Sequence, residues 1–265
     1  MAAGADLRLL PLALGDGVTA AVTTRHGGVS EGPYATLNLS YSVGDDPAAV
    51  AENRRRVGAA LGAETVTWAQ QQHTVMVAVV DDALAGTGHD GPDGPVGVPA
   101  TDALVTDRPG VALAAMAADC AQVVLWDPVH RAVGVAHAGR LGVQGGIVPA
   151  ALAAMADAYG TRPADVRVGI GPHIAAASYE VGPAEVAEAK AALGELAVVT
   201  PTRDGRGCLD LRAGILGQLE RAGVPRGAVV TVDHDTRTTT ELLYSHRAER
   251  PTGRFALVAV IRARR

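Results

Sequence analysis

The stretch Val111–Gly139, VALAAMAADCAQVVLWDPVHRAVGVAHAG, contains three short apolar segments with no helix-length segment between them. We predict strands at Val111–Ala117, Val123–Trp126 and Ala132–Ala136, because each is a short apolar run bounded by polar or turn-forming residues. A Rossmann fold would instead place a helix after nearly every strand. The stretch therefore favours the α+β class, with sheets packed in layers.

Outside this stretch, predicted strands and helices are interleaved. One helix has a clear beginning, because Asp46 offers an N-cap side chain and Pro47 fits the first helical turn. Further strands are predicted at Leu7–Leu14, Val18–Thr24, Thr65–Ala69, Val75–Val80, Ala103–Thr106, Val166–Ile170, Val229–Val232 and Phe255–Ile261. Helices are predicted from Pro47 to about Leu61, from about Val143 to Tyr159, at Pro183–Leu193 and at Leu209–Arg221. Two segments rich in Gly and Pro, Arg25–Tyr34 and 81–99, are predicted to be loops.

The composition is that of an ordinary globular protein. Of the 265 residues, 48% are hydrophobic and only 3% aromatic, so Ala, Val and Leu must fill the core. No linker or internal repeat stands out, and we predict one domain over residues 1–265, a layered α/β sandwich with mixed sheets. The formal net charge of −5 argues against nucleic acid as a partner, since phosphate backbones require a basic surface.

Two observations bear on the compartment. The longest apolar run, Val111–Trp126, is interrupted by Asp119, Cys120 and Gln122 and is too short to cross a bilayer, so no membrane association is expected. The chain has two cysteines and no disulfide framework, which predicts a reducing, cytoplasmic location.

Three short phrases place a metal-binding side chain among small or polar residues: Gln71–His73, Ala118–Cys120 and Ala136–Gly139. Two imidazoles and one thiolate are good ligands for zinc or copper, and a three-ligand site leaves a fourth position open for chemistry. The residues alone leave another interpretation open. Cys120 would then be a small buried apolar side chain, and His137 would lie in a plain connection between a strand and a helix.

Other polar residues suggest contacts to an anion. The small residues after His137 would let backbone amides approach a phosphate, and a helix from about Val143 would direct its positive end there. Arg25 lies in a Gly-rich loop, and its guanidinium suits an oxyanion, with a solvated loop arginine as the alternative. His173 either faces the same pocket or caps a turn. Asp119, in an apolar run, needs a partner and is a candidate for supporting the metal site or for acid–base chemistry.

Taken in order, these phrases resemble the bacterial laccase-domain family, also called multicopper polyphenol oxidoreductases and described as YfiH/YlmD-like purine nucleoside phosphorylases. The resemblance extends over nearly the whole chain. It is carried by Arg25–Ser30, Leu37–Leu39, Asn53–Arg54, Gln71–His73, Thr101–Ala103, Ala118–Cys120, His137–Gly139, Gly169–Pro172, Tyr179–Gly182, Leu209–Leu211 and Tyr244–Arg247.

The resemblance implies a single layered domain, distantly like the catalytic domains of deamidase toxins. It implies a zinc site, with copper as the alternative metal, whose ligands are His73, Cys120 and His137. It implies phosphorolysis of adenosine, inosine and 5′-methylthioadenosine, with adenosine deamination as a side activity, by a monomer or weak homodimer. Catalytic roles are expected for Asp119, Cys120 and His137, and contacts to nucleoside or phosphate for Arg25, Asn38, Gln71, Arg140, His173 and Arg247.

The chain departs from the family pattern at three places. Many relatives carry Trp-Arg after His-Ala-Gly, where this chain has Arg140-Leu141. Asp235-Thr236 stands where Cys-Thr is usual, and Gln122 stands where a proline is usual. The three predicted metal ligands are retained, so activity is expected with an altered substrate preference.

Three other functions are compatible with these residues. A copper oxidase of phenols could use Met76 or Met116 as an axial ligand, but the eight histidines are few for a trinuclear copper cluster. A hydrolase could use Cys120 as nucleophile and His137 as base. A non-catalytic nucleotide-binding or cell-envelope partner protein would bind ligand without turnover.

Overall fold

The computed structural model describes residues 7–88 and 96–263, in which two large β-sheets and one small sheet are surrounded by helices. The strands are β1 (Leu9–Pro11), β2 (Val18–Thr23), β3 (Thr65–Trp68), β4 (Val77–Val79), β5 (Ala103–Thr106), β6 (Val111–Ala117), β7 (Ala121–Asp127), β8 (Ala132–Ala138), β9 (Arg167–Ile170), β10 (Glu180–Val181), β11 (Val199–Pro201), β12 (Gly207–Leu209), β13 (Val229–Thr231) and β14 (Phe255–Ile261). The helices are α1 (Pro47–Ala60), α2 (Arg140–Gly145), α3 (Ile147–Tyr159), α4 (Pro183–Leu193) and α5 (Leu211–Ala222).

Both large sheets mix parallel and antiparallel pairs. The five-stranded sheet has the order β1-β2-β14-β6-β3, and only its β3–β6 pair is parallel. The six-stranded sheet has the order β13-β9-β7-β8-β5-β4, with parallel pairs at its two edges. The small sheet, β10-β12-β11, is antiparallel. The predicted α+β class with mixed sheets is confirmed.

The core consists of layers, because alternate side chains of each strand face opposite sides. Leu113 and Leu257 of the five-stranded sheet pack against Val124 and Val135 of the six-stranded sheet. The other face of the six-stranded sheet packs against α3 and α5, and the other face of the five-stranded sheet packs against α1. The order of layers is therefore helix, sheet, sheet, helices.

Most predicted elements occur close to their predicted bounds, and three differences have local causes. The helix expected from about Val143 is two helices, α2 and α3, separated at Gly146, whose φ of 83° is left-handed. The first strand is only Leu9–Pro11. The small sheet was not predicted because its strands of two or three residues are too short for a periodic pattern.

The predicted loop at 81–99 falls partly on residues 89–95, which lie outside the described residues. Its described part consists of turns at 82–88 and a short segment in which Val98 bridges to Ala69. None of the helices within the described ranges has the length and apolar character that a bilayer crossing requires.

Candidate metal centre and cavity

Three side chains converge where the chain crosses between the two large sheets. Cys120 lies in the turn from β6 to β7, and His73 lies in the connection from β3 to β4. His137 lies near the end of β8, opposite Gln122 of β7. The metal-binding atoms of the three residues all lie within 4.8 Å of one another. The long sequence separation is thus bridged by two crossing connections and one strand end.

The geometry of this trio, His73, Cys120 and His137, suits a metal ion. Cys120 Sγ lies 3.9 Å from His73 Nε2, and the two imidazole rings meet edge to face with centroids 4.9 Å apart. Tetrahedral zinc with bonds of about 2.0–2.3 Å would place such ligand atoms about 3.3–3.6 Å apart, so only small side-chain movements are needed. His73 is exposed, Cys120 is half-buried and His137 is buried, which leaves one side of the trio open. These residues could therefore hold a metal with an open fourth position.

Asp102 is buried and connects two of the three ligands. Its Oδ1 accepts a hydrogen bond from His137 Nδ1 at 2.9 Å and from the His73 backbone N–H at 3.1 Å. Its Oδ2 accepts from the backbone N–H groups of Gln72 and Thr74, at 3.0 and 2.8 Å, and from the Thr74 hydroxyl. With Nδ1 of His137 held in this way, Nε2 is left to bind a metal.

The charge state of Asp102 follows from these contacts. Burial alone would raise the pKa of the carboxyl, but the hydrogen bonds from His137, Thr74 and Gln72 outweigh it and hold the pKa well below its usual range. Asp102 had no predicted role, although it lies in Thr101–Ala103, one of the stretches of family resemblance. A carboxylate directly before a buried strand was the signal that could have identified it.

Cys120 and His137 favour each other's charged forms. Burial opposes the Cys120 thiolate, but the charge and hydrogen bond of His137, and then those of His73, lower the pKa of the thiol. Burial likewise opposes the His137 imidazolium, but Cys120 and Asp102 raise its pKa. The thiolate is the form that binds metals or acts as a nucleophile, so the site favours the reactive form of Cys120.

Asp119 anchors the turn that carries Cys120. Its carboxylate accepts hydrogen bonds of 2.6 Å from the Thr236 hydroxyl, the Ser245 hydroxyl and the Arg247 backbone N–H. Its own backbone is left-handed, with a φ of 100°. Three short hydrogen bonds from the 236–247 segment hold this turn in place, which is the supporting arrangement expected of a residue that positions a ligand.

The trio borders a cavity of about 650 Å³. Besides the trio, its lining includes Gln71, Arg54, His246 and Arg254. The Gln71 side chain is held in the cavity wall by two hydrogen bonds of 2.7 Å to the backbone N–H and C=O of Met116. This volume falls within the range of about 300–1,000 Å³ that small-molecule sites occupy.

Two of the predicted substrate-binding residues, Arg140 and Arg247, do not line this cavity. Arg247 stacks on the Tyr179 ring at 5.1 Å and donates to the Glu180 carbonyl. Arg140 pairs with Glu188 at 2.6 Å. Burial raises the pKa of the Tyr179 phenol, as does the charge of Cys120, while Arg140 and Arg247 lower it, so all four groups share one electrostatic neighbourhood.

Three more predicted substrate-binding residues, Arg25, Asn38 and His173, also lie outside the lining of this cavity. Arg25 donates to the carbonyls of Ala35 and Thr240 and pairs with Glu249 at 3.2 Å. Asn38 is fully buried. His173 lines a separate cavity of about 380 Å³. Their assignment as substrate ligands stays a prediction without support from this geometry.

Three basic residues of the cavity lining had no predicted role in the site: Arg54, His246 and Arg254. Arg54 and His246 lie in stretches that carry the family resemblance, but an arginine on a helix gives no sign that it reaches a cavity. Arg254 directly precedes β14, and the Oδ1 of Asn38 accepts its backbone N–H at 2.8 Å. Contacts of this kind join residues far apart in sequence and become visible only in the folded chain.

Known proteins resemble this chain over most of its length. A family model described as multi-copper polyphenol oxidoreductase laccase matches residues 19–262. A protein of Streptomyces coelicolor named purine nucleoside phosphorylase is 43% identical over 236 residues, which is 88% of this chain and 91% of the relative.

Solved structures share the fold. The crystal structure of YlmD from Geobacillus stearothermophilus is 33% identical, with a TM-score of 0.88, and the match covers 95% of this chain and 94% of that one. The crystal structure of the hypothetical protein YfiH from Bacillus licheniformis is 32% identical, also with a TM-score of 0.88, and covers 92% and 93%.

Proposed function

The chain belongs to the multi-copper polyphenol oxidoreductase laccase family, and from this premise we propose that it is a metal-dependent purine nucleoside phosphorylase. Its substrates are adenosine or inosine and phosphate, with 5′-methylthioadenosine as a further nucleoside. The observation that carries the proposal is the position of the trio on the wall of a cavity of about 650 Å³. The name of the relative from Streptomyces coelicolor supports the reaction class.

Phosphorolysis replaces the purine on ribose C1′ with phosphate, so the site must hold an anion beside a sugar and let the base leave. The three ligands would hold zinc, which supplies a Lewis acid when bound. Asp102 would orient His137 and the loop of His73. Asp119 would fix the turn of Cys120, acting as a positioning residue.

Further contacts to the substrate are proposed for Gln71, Arg140 and Arg247. Gln71 lines the cavity, and the two arginines, like Cys120, lie within electrostatic reach of Tyr179. Adenosine deamination is proposed as a side activity, because zinc deaminases also combine a histidine–cysteine metal set with a nucleobase pocket.

A phenol oxidase with copper is the second candidate, and the description of the matching family favours it. Two observations count against it. Within the described residues, the trio is the one group of His, Cys, Asp or Glu side chains with metal-binding geometry, whereas a four-copper oxidase needs a second, histidine-rich cluster. Met116, a predicted axial ligand, has its sulfur 3.8 Å from the buried Arg54 guanidinium.

We also propose that the chain forms one domain and works as a monomer or weak homodimer in the cytosol. Pairing of β14 between β2 and β6 supports one domain, because it ties the end of the described chain to its beginning. Both cysteines are free, and a reducing compartment would keep Cys120 available as a ligand.

The proposal is tested by incubating the purified protein with adenosine or inosine, with and without phosphate, and measuring free base by chromatography. Base release that requires phosphate, and is lost in Cys120→Ala but kept in Cys208→Ala, is the expected result. Equal release without phosphate would identify a hydrolase and contradict the proposal. Copper-dependent oxidation of a phenol without base release would favour the second candidate.

A further inference from the structure

The cavity beside the trio is cationic although the chain as a whole is acidic. The positive charge of its lining comes from two arginines, Arg54 and Arg254, and the lining also contains His73, His137 and His246. In the described part of the chain no carboxylate belongs to this lining, whereas the protein carries a formal net charge of −5. A cleft with this charge pattern attracts an anion, because clefts lined by one sign of charge focus the field.

Arg254 has donors that remain available for such an anion. Its Nη1 donates to the backbone carbonyls of Thr252 and Gly253, at 3.1 and 2.9 Å. Its Nε and Nη2 groups have no hydrogen-bond acceptor, and no carboxylate pairs with the guanidinium, among residues 7–88 and 96–263. The Nε–Nη2 edge of a guanidinium presents the two parallel donors that match a phosphate.

Arg254 lines the same cavity as the trio. Its backbone is held by Asn38, and the following strand, β14, is fully buried. Burial lowers the pKa of Arg254, while the charges of Cys120 and Asp119 oppose that shift, so the guanidinium lies within electrostatic reach of the trio. His246 is a solvent-exposed residue, and the pKa of its imidazole is lowered by partial burial and by the charges of Arg250 and Arg254.

Arg54 contributes charge from a fixed position. It is stacked on the rings of Tyr41 and Trp68, 4.5 and 4.2 Å from their centroids. Its Nε donates to the Leu39 carbonyl and its Nη1 to the carbonyls of Gly88 and Val96. These contacts hold the guanidinium in the cavity wall, so Arg54 adds positive potential without being free to turn toward a ligand.

We propose that Arg254, with His246 beside it, is the subsite for a phosphate oxyanion in the cavity of the trio. The inference rests on the proposed function for the identity of the co-substrate. It assigns phosphate to Arg254 rather than to Arg25 or Arg140, whose guanidinium groups are paired with Glu249 and Glu188. Phosphate bound there would share one cavity with the three proposed metal ligands.

The test is calorimetric titration of the metal-loaded protein with inorganic phosphate and, separately, with AMP, in a chloride buffer of constant ionic strength. Loss of a charge-assisted, two-donor contact should weaken phosphate binding by Arg254→Gln about tenfold to a hundredfold. Arg254→Lys keeps the charge but not the two parallel donors, and an intermediate loss of phosphate affinity is expected.

Arg262→Gln is the matched control, because Arg262 lies beyond the opposite end of β14 and is exposed. Metal content and circular dichroism should be unchanged in all three.

Each outcome decides the inference. Wild-type affinity for phosphate in Arg254→Gln, or no phosphate binding by the wild type, would overturn it. If Arg254→Gln fails to fold, Arg254→Lys with unaltered affinity would overturn it equally. Binding of AMP in place of phosphate would show that the subsite takes the 5′-phosphate of a nucleotide, which overturns the co-substrate assignment. Phosphate binding that depends on Arg254, without phosphate-dependent release of base, would uphold the subsite and refute the proposed function.

Discussion

Asp102→Asn should weaken metal binding through two ligands at once while preserving the shape of the side chain. If the amide nitrogen takes the place of Oδ1, it faces the His73 N–H and His137 Nδ1. His137 would then accept at Nδ1 and carry its proton on Nε2, the nitrogen required for the metal. If the amide nitrogen takes the place of Oδ2, it faces the backbone N–H groups of Gln72 and Thr74, and these two donors lose their acceptor.

Either orientation therefore leaves one or two part-buried backbone donors without their acceptor, at a cost of at most about 1–3 kcal/mol for each donor, because water can replace part of the lost contact. Loss of a carboxylate that orients a metal-binding histidine typically weakens metal binding about 10–100-fold. The free energy of unfolding of the metal-free protein and the metal dissociation constant should therefore both change. If Asp102 had only a structural role, the substitution would lower the free energy of unfolding and leave the metal dissociation constant near wild type.

Urea unfolding in the presence of a chelator measures the stability, and competition with a chromophoric chelator measures the zinc affinity. The absorption spectrum of the cobalt-substituted protein reports ligand geometry independently of activity. Asp82→Asn is the control, because the Asp82 side chain is 86% exposed and pairs with Arg108 at the surface. Zinc affinity and a cobalt spectrum equal to wild type in Asp102→Asn would refute the role of Asp102 in orienting the ligands.

Three further sets of substitutions test the rest of the site. Alanine at each of the three proposed metal ligands should remove most of the bound metal, measured by elemental analysis, and unchanged content in all three variants would exclude the site. Gly139→Ala would place a Cβ 2.7 Å from the sulfur of Cys120, so zinc affinity should fall, whereas Gly227→Ala meets no atom within 4 Å and is the control. Normal zinc affinity in Gly139→Ala would show that the cysteine moves freely. Arg25→Lys should lower the free energy of unfolding by roughly 1–3 kcal/mol, because hydrogen bonds to two carbonyls and Glu249 are altered, and leave the KM for phosphate near wild type. A raised KM with unchanged stability would instead restore the sequence-based assignment of Arg25 to phosphate.

Strands and helices could be predicted where a local sequence pattern specified them. Asp46 and Pro47 mark the beginning of α1, and the side chain of Asp46 indeed accepts from the Ala48 N–H. The apolar runs of Val111–Ala117 and Phe255–Ile261 are strands with those bounds. The break at Gly146 was missed because a glycine within an apolar helical pattern is compatible with either one helix or two.

The chemical identity of the site could be read from residue types, since two histidines and a cysteine suit few purposes other than metal binding or nucleophilic chemistry. The pairing of the charged groups around the site could not be read from residue types. The amino acid sequence offers more than twenty lysines and arginines and does not say which guanidinium is already paired. Arg25 looked available in its Gly-rich loop but meets Glu249, more than two hundred residues away in sequence.

The strands, the class of fold and the three candidate ligands are encoded locally, in hydrophobic periodicity, caps and side-chain chemistry. Packing of the two sheets decided which distant residues support those ligands. The crossings from β3 to β4 and from β6 to β7 bring His73 and Cys120 together, and Asp102 then ties His73 to His137. Each polar group buried by this packing must find a partner, and the partner is whichever group the fold brings near. Local patterns carry no information about that proximity, and this is why Asp102 and Arg254 emerged only from the tertiary structure.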